Sequence, residues 1–573
     1  MDESAALTGE TSWSRFRVHR ALLTSDGVIA LSALAVLATG LGLRLAIAWQ
    51  DLQTLTVKAL PDDAFYYFLT ADRISNGQGI SFDGISPSNG YHPLWLFLLV
   101  PLYLLPGRSL PLHLGLTLAS VLDVIAGGLI GLAAWRLTGN KVVGLFSLTF
   151  YILLPRNILA SVDGVENALA AMLLSALLLV VVTAWKEPPE RWLRWSIATG
   201  VLAGLLVLAR LESALVAAAA LVALAALRPR PLRWPAPAIV ACVAAVVIAP
   251  WFIWSSIAVG TPVPVSAEAT TWLLREHFDA GNPDAGFSDL VRHGYSETRD
   301  VMGRAEDLYL YTRPIALAML AGVAVVAAHF LLFARGTARR DVIGQVLIAG
   351  LPFAAFLAML LVNSAFRWSV RSWYFAWGIP SLALILGVAF GYLCTLVASV
   401  ASRARSELAP TAAQFAIYGA LVVVMAALFS GHARDSWRIG YFPFQGDNFR
   451  AAQYLEAETE PDARVAAFNA GVVGYFSERT VINLDGVVNV DAYHALQDHR
   501  LLAYLRSAGV QYVADRDGAW RYLPAYIRPD DWSESLWGED PNEAMTSIHQ
   551  LPAPGAFPQM NVWRLLPEDA TGP

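Results

Sequence analysis

The chain has 573 residues, 56% of them hydrophobic and only 15% charged, with 19 tryptophans and a mean hydropathy of +0.49. A soluble globular chain carries about a quarter charged residues, so this composition excludes a soluble protein and calls for membrane-spanning segments. The formal net charge of −6 comes with no basic patch of the kind nucleic acid needs, and Cys242 and Cys394 both lie in apolar runs, where they read as small core residues.

Residues 1–25 form a polar N-terminal tail, "MDESAALTGETSWSRFRVHR" and a few more. No small-residue cleavage site follows the first apolar run, which therefore reads as a retained helix. Runs long enough to cross a bilayer, about 17–25 residues, fall near 26–48, 111–135, 142–158, 167–185, 195–211, 213–227, 235–257, 314–334, 342–362, 374–398 and 411–430. The run 93–105 is too short. If it does not cross, the clusters Arg15/Arg17/Arg20, Arg136/Lys141, Lys186/Arg191/Arg194, Arg228/Arg230/Arg233, Arg335/Arg339/Arg340 and Arg403/Arg405 all share one side. The positive-inside rule makes that side cytoplasmic. If it does cross, every cluster after the first changes sides. The reading is eleven spans with the N-terminus inside, a transmembrane region 26–430 and a first external loop 49–110.

The polar stretches then gather on the external face. The first loop carries "PDDAFYYFLTADRI", with Asp62 and Asp63 at the start of a helix and Tyr66 and Tyr67 three and four residues beyond Asp63. A helix cap accounts for one aspartate but not for both. The second external turn holds Asp163 and Glu166 in "SVDGVENAL", where a capping pair is the alternative. Arg210 and Glu212 flank Leu211 in "ARLES", and "FRWSVRSWYF" sets Arg367 and Arg371 beside Trp368, Trp373 and Tyr374. Aromatic residues belong at a membrane interface whatever the function. Arginines on the external side are less expected, and the planar guanidinium suits a phosphate. From about 431 to 573 the long apolar runs stop. "DNFRAAQYLEAE" and "HRLLAYLRSAG" read as helices, and "ARVAAFN", "RTVINLD" and "VQYVAD" as buried strands, which predicts a small α/β domain with parallel pairing.

This order of parts resembles the GT-C membrane glycosyltransferases that use polyprenyl-phosphate sugars. "DDAF" followed by "NGYHPLW" resembles the first loop of bacterial arabinofuranosyl- and mannosyltransferases. "PRNILASVDGVENALA" is similar to the second acidic motif of oligosaccharyltransferase catalytic subunits. "ARLES" resembles an Arg-Pro-Glu motif with Leu211 in place of proline, and "GTPVPVS" resembles a Gly-x-x-x-Pro loop. The tail looks like the external domain of bacterial members and lacks a WWD-type motif.

The resemblance implies a polytopic α-helical membrane protein, GT-C-like with about 11 transmembrane helices and a C-terminal extracytoplasmic α/β domain. It further implies an inverting transfer from a polyprenyl-phosphate sugar to an extracytoplasmic glycan, lipid or protein, in a bacterial inner membrane. Asp63 is then the general base, and Asp62 orients it or the acceptor. Arg371, with Arg367 behind it, stabilises the departing phosphate. Asp163 and Glu166 either bind acceptor hydroxyls or complete, with Asp62 and Asp63, an oxygen site for Mg²⁺ or Mn²⁺. Arg210, Glu212, Tyr91, His92 and Tyr374 are further substrate-binding candidates; His92 is equally an interfacial residue at a helix start. The alternative is a transporter or flippase of lipid-linked sugars, for which polar groups at mid-membrane depth and repeat-related broken helices would be needed.

Overall fold

The computed structural model describes residues 25–227, 230–281, 284–296, 312–367, 372–403, 410–516, 536–552 and 559–567. The N-terminal tail up to residue 24 and Arg371 lie outside them.

Helix α1 (Ser25–Ala48) is a long apolar span ending at the face that carries the C-terminal domain. Three short helices follow on that face: α2 (Leu52–Lys58), α3 (Asp62–Ser75) and α4 (Pro93–Leu99), the last continued by a 3₁₀ turn Val100–Leu104. Both ends of the 93–105 segment meet the same surface. His92 precedes it, with Nε2 3.6 Å from Glu166 Oε1. Beyond it, the Tyr103 hydroxyl is 2.9 Å from that of Tyr475, and Arg108 Nη1 donates to the Tyr475 carbonyl at 2.8 Å. The two ends of the segment therefore lie on the same side of the bundle.

The bundle continues with α5 (Ser109–Thr138), α6 (Lys141–Leu153), α7 (Pro155–Ala160), α8 (Asn167–Lys186), α9 (Trp192–Ala209), α10 (Ala214–Leu227) and α11 (Pro235–Ala258). After α12 (Val265–Gly281) come α13 (Thr312–Leu332), α14 (Thr337–Arg367), α15 (Ile379–Arg403) and α16 (Pro410–Ile439). Among the described residues, eight helices are long and apolar enough to cross a membrane, and Lys141–Leu153, Leu211–Leu227 and Ala412–Ala427 are shorter apolar helices. The span expected at 142–158 is broken. Leu154 precedes Pro155 and takes an extended conformation with ψ 116°, so α6 stops at Leu153 and α7 starts afresh. At about 1.5 Å per residue, α6 falls short of a hydrocarbon core of about 30 Å. It is enclosed by neighbouring helices on nearly every side, so little of it needs to match lipid. Cys394 is buried as expected, but Cys242 is exposed on α11, a helix with most of its surface outward, so its apolar neighbours mark a lipid-facing position.

One buried ion pair ties three helices together. Arg44 of α1 donates through Nε and Nη2 to Asp123 Oδ2 on α5 at 2.9 and 2.6 Å, and through Nη1 to the carbonyls of Gly40 and Ile152. Tyr151 and Asn157 also donate to Asp123. Charges are tolerated inside such a bundle only when satisfied in this way.

The C-terminal domain contains α17 (Gln445–Glu458), β1 (Arg464–Ala467), α18 (Ala470–Phe476), β2 (Thr480–Asn483), α19 (Val490–Gln497), α20 (Leu501–Ser507) and β3 (Tyr512–Arg516). Strands β4 (Met545–Gln550) and β5 (Met560–Leu565) complete a five-stranded sheet of order β2-β1-β3-β5-β4. The first three strands pair in parallel, as the strand–helix–strand pattern predicts. The antiparallel pair β4–β5 adds an edge that the sequence reading did not foresee.

The domain is seated firmly on the loop helices. Gln445 Nε2 donates to the carbonyls of Thr56 and Leu60 at 2.6 and 2.7 Å, and Phe65 packs on Tyr475 and Phe476 with ring centroids 5.4 Å apart in each case.

Candidate active site

Helix α3 brings the first candidates to the junction between bundle and domain. Pro61, extended at φ −65°, sets the chain to start the helix at Asp62, and both aspartates occupy its first turn, where the helix dipole favours negative charge. Their side chains part company. Asp62 is only 8% exposed, and its two carboxylate oxygens accept from the amides of Gly471 and Val472 at 2.9 and 2.8 Å. It caps α18 of the C-terminal domain rather than its own helix. The approach is so close that a Cβ at Gly471 would lie 2.1 Å from the Asp62 carbonyl oxygen, so only glycine fits. Asp63 is partly exposed.

Glu166 anchors a second cluster. Tyr67, one helical turn beyond Asp63, donates its hydroxyl to Glu166 Oε2 at 2.9 Å, and Arg210 Nη1 donates to Oε1 at 2.6 Å. Arg210 Nε donates to Glu212 Oε2 at 2.9 Å, and Asn363 of α14 donates to the other Glu212 oxygen at 3.2 Å. The guanidinium lies over the rings of Tyr374 and Trp377, 4.8 and 5.9 Å from their centroids. Arg210 is 1% exposed at its side chain, so this cation is matched to two carboxylates rather than presented to a ligand. Glu166 precedes α8 but makes no capping bond, whereas Asp163 does the local work: Oδ1 accepts from the Val165 amide and Oδ2 from Asn167 Nδ2.

The turn 161–166 reaches α3 because Gly164, at φ +77°, takes a conformation that L side chains rarely adopt. A Cβ there would press to 2.9 Å from Ala64. Trp95 of α4 fixes the same turn by donating to the Gly164 carbonyl at 2.9 Å. Asn89, fully buried, joins the first loop to the "GTPVPVS" loop. It donates to the carbonyls of Thr261 and Val263 and accepts from the Val265 amide. Tyr91 is buried behind the site, receiving the Thr70 hydroxyl at 2.7 Å with its ring 5.9 Å from that of Tyr67; it props Tyr67. Arg367 is the last residue of α14.

The sequence reading missed Asp485, in the loop after β2. It stands within electrostatic reach of both Asp62 and Asp63 and is partly exposed, like Asp63. Burial pushes the carboxyls of Asp62 and Asp485 up to about 7 and that of Asp163 up to about 8. For Asp62 the two backbone amides oppose that push, and for Asp163 Asn167 and Arg156 do. Among the described residues, no three His, Cys, Asp or Glu side chains form a group able to hold a metal ion. The oxygens of Asp62 and Glu166 accept from protein donors, and the four expected carboxylates are not gathered into one such group.

Comparison with known proteins can now be set beside this geometry. Residues 113–254 match the family described as dolichyl-phosphate-mannose-protein mannosyltransferase, and residues 437–553 match a domain of unknown function, DUF8728. The chain superposes on the oligosaccharyltransferase AglB from Archaeoglobus fulgidus, solved with an inhibitory peptide and a dolichol-phosphate, with TM-score 0.55 and 13% identity over 92% of this chain and 74% of that one. It superposes equally well on ArnT from Cupriavidus metallidurans bound to undecaprenyl phosphate, with TM-score 0.53 and 12% identity over 96% of this chain and 100% of that one. The chain has the fold of these two membrane proteins. A further structure of the Archaeoglobus fulgidus oligosaccharyltransferase, complexed with Zn and sulfate, has TM-score 0.52 and 14% identity over 92% of this chain and 72% of that one. No curated protein matches the sequence.

Proposed function

We propose that this chain is a membrane glycosyltransferase that moves a sugar from a polyprenyl-phosphate donor to an acceptor hydroxyl with inversion, at the junction of the bundle and the C-terminal domain, and that Asp63 is the general base. The observation that supports this most is the meeting of three sequence-distant stretches, 62–67, 163–166 and 210–212, directly beneath that domain. The bound dolichol-phosphate of AglB and undecaprenyl phosphate of ArnT favour a lipid-phosphate donor. An apolar cavity of about 540 Å³ between α1, α6, α7 and α16, lined by Leu43, Ile47, Leu153, Ile158 and Met425, gives a polyprenol room beside the 161–166 turn.

The groups divide the work. Asp62 and Glu166 are buried and accept from protein donors, whereas Asp63 keeps part of its surface open and is the carboxylate of the α3 pair that we assign to take a proton from an incoming hydroxyl. Tyr67 and Arg210 hold Glu166 and so fix the wall facing Asp63. The phosphate left on the lipid gains charge, and Arg371, with Arg367 at the end of α14 behind it, is the cation we assign to it. The positive clusters favour an N-terminus in the cytoplasm and a C-terminal domain outside, and we read the membrane as a bacterial inner membrane. The acceptor is then an envelope glycan, lipid or protein. Incubating the purified chain with radiolabelled decaprenyl-phosphate sugars and envelope extract tests this reading. Label moving to an acceptor supports it; label translocated across vesicles with the donor intact would point to a flippase instead.

A further inference from the structure

The carboxylates gathered at the junction fall into two sets. Asp62, Asp163 and Glu166 are buried, at 8%, 6% and 3% exposed. Asp63 and Asp485 keep part of their surface open. One comes from the bundle and the other from the C-terminal domain.

We propose that Asp485 positions the acceptor, so that the C-terminal domain is a working wall of the active site; this rests on the transferase reading above. The loop "NLDGVVN" is built to hold that carboxylate still. Asp485 Oδ1 accepts from the Val487 amide at 3.0 Å, and Asn483 Oδ1 accepts from the Val488 amide at 3.4 Å. Gly486, at φ +77°, turns the chain back so tightly that a Cβ would lie 2.7 Å from that of Tyr493. The loop is also pinned to the bundle. A Cβ at Gly90 would lie 2.0 Å from the Val487 carbonyl oxygen, Asn489 Nδ2 donates to Asp83 at 3.4 Å, and Asn483 Nδ2 donates to the Tyr66 hydroxyl at 3.3 Å. Asp485 therefore cannot drift relative to α3 without breaking contacts on both sides.

A carboxylate accepts hydrogen bonds and a protonated carboxyl also donates one, and a sugar or lipid acceptor offers hydroxyls that can meet either form. A hydroxyl adjacent to the nucleophile, bonded to Asp485, would fix the acceptor while Asp63 takes the proton of the attacking oxygen. Holding two reactants in register in this way is a large part of what such a site contributes.

The test uses the full chain in detergent, with decaprenyl-phosphate hexoses and pentoses as donors and octyl glycosides as acceptors. Asp485→Asn should raise the KM for the octyl glycoside by about ten- to a hundredfold, the range for losing a hydrogen bond to a charged group. The donor KM should stay within about twofold, and Asp485→Glu should recover part of the loss. An unchanged acceptor KM overturns the proposal. So does a loss of kcat in Asp485→Asn and Asp485→Glu alike that follows the amount of folded protein, because that is a structural role. Wild-type protein that transfers to no acceptor and hydrolyses no donor rejects the transferase reading itself.

Discussion

Glu166 and Arg210 are the residues whose loss the structure penalises most. Arg210 lies buried between Glu166 and Glu212, and Tyr67 shares Glu166. Truncating Glu166 leaves a cation half-compensated and a tyrosine hydroxyl without its acceptor, in a place water does not reach. Breaking one side of a buried pair costs about 3–5 kcal/mol. Glu166→Ala should therefore lower the thermal midpoint by several degrees in a detergent melt, in addition to any effect on turnover. A midpoint equal to wild type would mean that the cluster is looser than its distances imply. At this scale the sequence marked residues that meet at the junction better than it marked how they pair. Acidic pairs beside external arginines were legible because ionisable groups at span ends need a reason. Their pairing was not: Asp62 is bound by amides 409 and 410 positions away, and no local pattern announces Gly471 as its partner. Asp485 was hidden for the same reason, since within "VINLD" it reads as the end of a strand.

The elements were easier to read than their boundaries. Long apolar runs mark spans directly, and charge on the loops around the short 93–105 run argues against a crossing there, in keeping with both its ends meeting one surface. Two features lay below that resolution. Pro155 splits one expected span into α6 and α7, and the pair Arg44–Asp123 joins α1 to α5 inside the bundle. A single charge within a strongly apolar window barely alters its mean, so neither residue stood out. Arg44→Met should destabilise the bundle by about 3–5 kcal/mol by leaving Asp123 buried without its cation, and Arg44→Met/Asp123→Leu should recover most of that. Melting of the single and double variants in the same detergent checks this. A double variant no more stable than the single would show that the pair is not coupled. In the C-terminal domain the parallel strands followed from the strand–helix–strand pattern, while β4 and β5 are an antiparallel edge with too little periodicity to read.

For the whole molecule, docking of the C-terminal domain makes stability depend on pH. Asp62 and Asp485 sit at the interface with carboxyls raised to about 7, and Asp163 beneath them is raised to about 8, against an ordinary value of 3.8. A carboxyl that holds its proton more tightly when folded releases it on unfolding. Its contribution is complete below about pH 4 and is lost as the pH rises through about 7 to 8. The thermal midpoint should thus be higher at pH 5 than at pH 8.5, and Asp62→Asn should flatten part of that slope. A midpoint that rises steadily over the same interval would contradict the placement of these groups.

The central claim is that one carboxylate at the junction, Asp63, takes the acceptor's proton. Asp63→Asn is nearly isosteric, so the protein should fold and still bind the lipid donor, but an amide cannot serve as the base. The decisive measurement is single-turnover transfer from a radiolabelled decaprenyl-phosphate sugar by wild type and Asp63→Asn, with donor bound to both beforehand. The rate should fall by about 10²–10⁴ with donor affinity intact; a variant that keeps more than about a tenth of the wild-type rate would contradict the assignment.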